Sequence, residues 1–145
     1  MSDDSTTRNL ADILAKISNT DEMERFFDNP KITDSFDNFT AYFRSLIEAK
    51  ELTDSELIAK SGIEKSYYYQ IMKGSKNPGR DKVLRMCIAA GFTIRETTRA
   101  LELSGNAVLY PKNRRDIIIS VGINQKASVD DINLLLDKYK EDCLT

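Results

Sequence analysis

Between Leu52 and Pro78 the chain reads LTDSELIAKSGIEKSYYYQIMKGSKNP, and two glycines, Gly62 and Gly74, divide it. Thr53 followed three residues later by Glu56 makes a capping box, in which each side chain satisfies a free N–H of the first helical turn. The helix that opens there carries Leu57 inward and stops at Gly62, since glycine takes the positive φ of a helix end most readily. Ile63 turns the chain. Glu64 to Lys73 then form a second helix, closed by Gly74. Two helices this short, joined this tightly, make a helix-turn-helix pair.

The second helix separates into faces. At 100° per residue, Tyr68 and Ile71 fall together with Glu64, on the side that packs against neighbouring helices. Lys65, Ser66, Tyr69, Gln70 and Lys73 cover a separate arc about 140° wide. That arc presents two ammonium groups, an amide, a hydroxyl and a phenol. Such a set suits a major groove, where amides and lysines read base edges and lysine neutralises phosphate. It equally suits a solvated helix face. Of the run Tyr67-Tyr68-Tyr69, Tyr68 belongs to the core, Tyr69 to the outward face and Tyr67 to its rim, because consecutive helical residues point in three directions.

The flanks supply a core. Phe39, Phe43, Leu46 and Ile47 recur at helical spacing before the pair, and Val83, Leu84, Cys87 and Ile88 recur after it. Thr93 and Glu96 form a second capping box for a fifth helix that carries Ile94 and Leu101 inward and ends near Ser104-Gly105. Beyond an extended link, Leu109-Tyr110-Pro111, a helix from Lys112 to Gly122 holds Ile117, Ile118, Ile119 and Val121. It is apolar nearly all round and is expected to be buried on more than one side. The last helix starts at Ser128 and carries Ile132, Leu135, Leu136 and Tyr139. These two helices either extend the core or form a contact between two copies. Upstream, helical stripes over Thr7–Ser18 and Asp21–Phe27 precede a polar linker broken by Pro30. The organisation expected is an acidic helical segment and linker over 1–34, a domain over 35–105, and a helical extension over 106–145.

Charge is distributed unevenly. The net charge is −2, but residues 1–59 carry −7, residues 60–85 carry +5 and residues 86–145 cancel. The positive window, with Lys60, Lys65, Lys73, Lys76, Arg80, Lys82 and Arg85, coincides with the two-helix unit, the footprint a polyanion needs. No apolar run is long enough to span a bilayer, and MSDDSTTRNL lacks a basic-then-apolar leader, so a cytoplasmic location away from membranes is expected. With no histidine and only Cys87 and Cys143, no metal site, disulfide framework or Ser-His or Cys-His nucleophile is expected, and no enzyme activity or cofactor follows.

The order Leu52, Thr53, Glu56, Leu57, Lys60, Gly62, Ile63, Ser66, Ile71, Gly74, Asn77, Pro78 resembles the lambda-repressor-like helix-turn-helix family, of the xenobiotic-response-element or Cro/C1 type. Phe39 to Leu52 resembles that family's first helix and Arg80 to Phe92 its fourth. Leu109-Tyr110-Pro111 with Arg114-Arg115-Asp116 and the isoleucines is similar to a C-terminal extension in a bacterial branch. The chain departs from the pattern at Asp54, where the family usually has Gln, and at Ile58, where it has Ala. The resemblance implies an all-α, five-helix helix-turn-helix domain followed by two additional C-terminal helices, and the N-terminal helical segment read from its own periodicity lies outside the match. It implies a homodimeric transcriptional regulator that binds double-stranded DNA. Lys65, Ser66, Tyr69, Gln70 and Lys73 would then face bases or adjacent phosphates, and Lys76 and Arg80 would hold the backbone. Asp54, Ser55 and Tyr67 are further positions where phosphate would approach. The alternative is a protein-interaction adaptor that keeps this fold without DNA, favoured by Asp54 and by the acidic N-terminal segment, which would dock a protein partner.

Overall fold

A computed structural model describes residues 38–145 of this 145-residue chain. The expected 1–34 segment, with its two helices, lies outside the described residues. Those described form seven α-helices and no strand: α1 Phe39–Ala49, α2 Asp54–Ser61, α3 Lys65–Met72, α4 Arg80–Ala89, α5 Ile94–Leu103, α6 Arg114–Asn124 and α7 Val129–Lys138. No helix among them is long and apolar enough to cross a membrane.

Five of the seven helices begin where a side chain satisfies a free N–H group of the first turn, α3 and α4 being the exceptions. Asn38 accepts from the Ala41 N–H at 2.8 Å, and Thr53 and Thr93 close the expected capping boxes with Glu56 and Glu96. Ser128 caps α7 through the Asp131 N–H. The sixth helix starts two residues later than its apolar pattern suggests. Asn113 is its cap, accepting from the Asp116 N–H at 2.9 Å, and the helix runs to Asn124 rather than Gly122.

One hydrophobic cluster runs from Phe39 to Leu144. Phe43 stacks on Phe39 at 5.4 Å and meets Phe92 at a tilt with centroids 5.3 Å apart, which joins α1 to the segment before α5. At the centre, α4 packs on α2, α5 and α7 and buries Val83, Leu84, Met86, Cys87 and Ile88. Each such side chain contributes roughly 1.5–3 kcal/mol by leaving water. Because Ile119, Ile123, Val129, Ile132 and Leu136 join the same cluster, α6 and α7 complete the core of the preceding helices.

The outer faces of these two helices differ from expectation. The α6 helix turns Ile119, Gly122 and Ile123 inward, with Gly122 so close to Ile132 that a Cβ there would collide with that side chain. Ile117 and Val121 remain 46% and 45% exposed, so α6 is buried on one side only. On α7, Val129 rather than Tyr139 completes the inward stripe. Tyr139 lies past the last helical turn with the Arg114 guanidinium over its ring, and Leu135 is half-buried.

Two Arg-Asp dipeptides hold α4 to α6. Arg80 donates through Nη1 and Nη2 to Asp116 at 2.9 and 2.8 Å, while Arg115 donates through Nη1 and Nη2 to Asp81 at 3.2 and 2.9 Å. Asp116 is buried and also accepts from the Tyr110 N–H. Burial would raise the Asp81 carboxyl, but hydrogen bonds from Arg115 and Thr145 outweigh it and hold the group below its ordinary range. Replacing Asp116 with Ala strands the Arg80 guanidinium without its counter-charge. Urea titration of Asp116→Ala is expected to show a loss of about 3–5 kcal/mol. A loss below about 1 kcal/mol, the value of an exposed ion pair, would contradict this role.

Candidate nucleic-acid interface

The α2–α3 pair is built as its glycines require. Gly62 takes φ 70° and donates to the Ile58 carbonyl, and residues 62–64 turn the chain into α3. Behind that turn the Ser61 carbonyl accepts from Arg85 Nη1 at 2.8 Å, which ties it to α4. The α3 helix buries Tyr68, Ile71 and Met72, and the Ile71 carbonyl accepts from the Thr40 hydroxyl on α1. Its far end is closed by the Gln70 carbonyl, which accepts from Ser75 N–H, Ser75 Oγ and Lys76 N–H. The helix that presents the outward face is thus held at both ends.

Lys65, Ser66, Tyr69, Gln70 and Lys73 line one shallow concavity on that face, as the periodicity predicts. Lys65, Ser66, Gln70 and Lys73 are exposed, while Tyr69 is half-buried with its ring edge-on to Tyr68 at 5.5 Å. Tyr67 is half-buried and Ser55 exposed. Lys73 and Lys76 also border a neighbouring hollow that includes Asn38 and Thr40 at the start of α1 and Arg44.

Three expectations need correction. Arg80 does not reach outward. Besides Asp116, its Nε donates to the Ala107 carbonyl at 2.8 Å and its Nη2 to that of Val108 at 3.1 Å, so four of its five N–H donors are engaged within the fold. Asp54 is not free to meet a phosphate either. Its Oδ1 accepts from the Tyr68 hydroxyl at 2.7 Å and from Arg44 Nη1 at 3.1 Å. Tyr68 is fully buried, and burial first, then the Asp54 hydrogen bond, push its phenol above the ordinary range. Glu64, expected on the packed side of α3, is exposed at the N-cap, because its extended backbone lies outside the helix whose periodicity was projected onto it.

The electrostatics follow from this sorting. Within the positive window, Arg80 and Arg85 bond inward and Arg115 neutralises Asp81. Lys60, Lys65, Lys73, Lys76 and Lys82 form no ion pair among the described residues, against the single free carboxylate of Glu64. The surplus positive charge beside α3 therefore consists of lysines.

Compared with family models, curated proteins and solved structures, the chain matches none.

The Asp54–Tyr68 bond gives this unit a measurable signature. Asp54→Ala should destabilise the fold by about 1–3 kcal/mol, because the buried Tyr68 hydroxyl loses its acceptor. Adding Tyr68→Phe removes the orphaned donor, so the double variant should be more stable than the sum of the single losses by about 0.5 kcal/mol or more. Strict additivity in a thermal or urea cycle would mean that the two groups act independently.

Proposed function

We propose that this chain is a sequence-specific double-stranded DNA-binding transcriptional regulator, with a lambda-repressor-like helix-turn-helix fold and α3 as its major-groove reader. The observation that carries the reading is the exposed α3 face. Among the described residues its lysines form no ion pair, its Gln70 and Ser66 are exposed, and Arg80, Arg85 and Arg115 are turned to structural work. Lysine on a surface is a mobile point charge that suits phosphate, and an amide reads a base edge. Lys65, Ser66, Tyr69, Gln70 and Lys73 take the bases and nearest phosphates, and Lys76 holds the backbone. Such a regulator works in the cytoplasm, where its DNA is.

Reading two half-sites requires two copies. Ile117 and Val121 lie one turn apart on the exposed side of α6, with Arg114 as the charge at its end. An antiparallel meeting of two α6 helices sets Ile117 of one copy on Val121 of the other, which is the self-complementarity a two-fold contact needs. The adaptor reading loses part of its support, since Asp54 is engaged by Arg44 and Tyr68 and no longer argues against phosphate.

Lys65→Ala, Tyr69→Ala and Lys73→Ala combined should abolish specific duplex binding in fluorescence anisotropy. The lysine substitutions are exposed and cost within about 0.5 kcal/mol each, so helicity should persist. Wild-type affinity should fall with salt, by about 0.9 in logarithmic slope per phosphate neutralised. Full binding by the triple variant would remove α3 from the interface. Val121→Asp should keep the fold yet sediment as a monomer; a dimer of unchanged strength would move the contact elsewhere.

A further inference from the structure

At the leading edge of α3 stands a carboxylate that does no structural work. Glu64 is exposed, makes no side-chain capping bond, and forms no ion pair among the described residues. Among the described residues its carboxylate has one hydrogen-bond partner, Ser66, whose hydroxyl donates to Oε1 at 2.6 Å. That bond fixes the hydroxyl proton on the carboxylate and leaves the outer side of Ser66 Oγ as an acceptor. Glu64 and Ser66 therefore present acceptors only, and Ser66 does so in the concavity it lines with Lys65, Gln70 and Lys73.

A carboxylate in this place repels every phosphate that approaches α3. It weakens binding to all duplexes alike unless a base offers it a donor. In the major groove the donors are the cytosine N4 and adenine N6 amino groups. Adenine sets its N7 acceptor beside N6, where it opposes a second carboxylate oxygen. Cytosine has no ring acceptor on that edge. Resting on the DNA-binding reading above, we infer that Glu64, oriented by Ser66, is a specificity-determining residue that selects cytosine at one position of each half-site. Lys65, Gln70 and Lys73 supply affinity and the remaining contacts.

Glutamine at this position keeps length and shape but adds a donor, and a side-chain amide pairs with adenine N6 and N7. The test is selection from random duplex DNA with the full-length wild type, Glu64→Ala and Glu64→Gln, followed by affinity measurements on the enriched site and a scrambled duplex. The wild type should enrich a motif with cytosine at one half-site position, preferred by about tenfold or more over other bases. Glu64→Ala should lose the preference at that position alone, and Glu64→Gln should move it toward adenine. Both variants should bind the scrambled duplex more tightly, having lost a repelling charge. Ser66→Ala should weaken the same preference without abolishing it. An unchanged motif in Glu64→Ala would overturn the assignment while leaving the DNA reading intact. Absence of any enriched motif for the wild type would overturn both.

Discussion

The crossed pairing of Arg80-Asp81 with Arg115-Asp116 is the constraint on which the rest of the structure depends. Each guanidinium presents a planar fork that matches a carboxylate with two parallel bonds, so the dipeptides fix both distance and orientation between α4 and α6. Each arginine also holds a stretch of irregular backbone. Arg80 binds the carbonyls of Ala107 and Val108 in the link before α6, and Arg115 binds those of Asp142 and Cys143 after α7. Arg85 extends the pattern, donating to the carbonyls of Leu144 and Thr145 on one side and of Ser61 on the other. The C-terminal tail, with Leu144 buried, is thereby connected to the turn that aims α3.

A division of labour between the two cationic side chains follows. Among the described residues the arginines bond within the fold: Arg44 with Asp54, Arg99 with Glu102, Arg114 with Glu141, and Arg80, Arg85 and Arg115 as above. The positive charge left outward beside α3 is lysine. Arginine's rigid fork suits structural pairing with carboxylates and carbonyls, whereas lysine is a hydrated point charge on a flexible stem. A surface lysine cluster attracts phosphate through its field and leaves base discrimination to the neutral and acidic groups beside it. On the proposed DNA-binding reading, Ser66, Tyr69, Gln70 and Glu64 would be those groups.

Local chemistry was the legible part of the sequence. The capping boxes at Thr53 and Thr93, the stops at Gly62 and Gly74, and the inward members Phe43, Leu57, Tyr68 and Leu101 follow from spacing, and they appear as expected. Long-range pairing was not legible. Nothing near Arg80 in sequence marks Asp116, thirty-six residues on, as its partner, so Arg80 read as a surface cation. Asp54 read as a departure at a phosphate-facing position for the same reason; its acceptor role appears only when α3 folds back and brings the Tyr68 hydroxyl to it. Periodicity also failed at helix ends. Glu64 lies before the first helical residue, where 100° per residue no longer applies, and Ile117 and Val121 are apolar yet remain nearly half exposed.

The claim that α3 is the face that meets DNA is tested most directly by backbone amide NMR of the full-length protein titrated with its selected duplex. The expected result is that the largest shift changes fall on residues 64–76, with α5 and the buried face of α4 nearly unmoved. Perturbations concentrated on α6 and α7, or none at all at duplex concentrations that saturate a typical specific site, would contradict it.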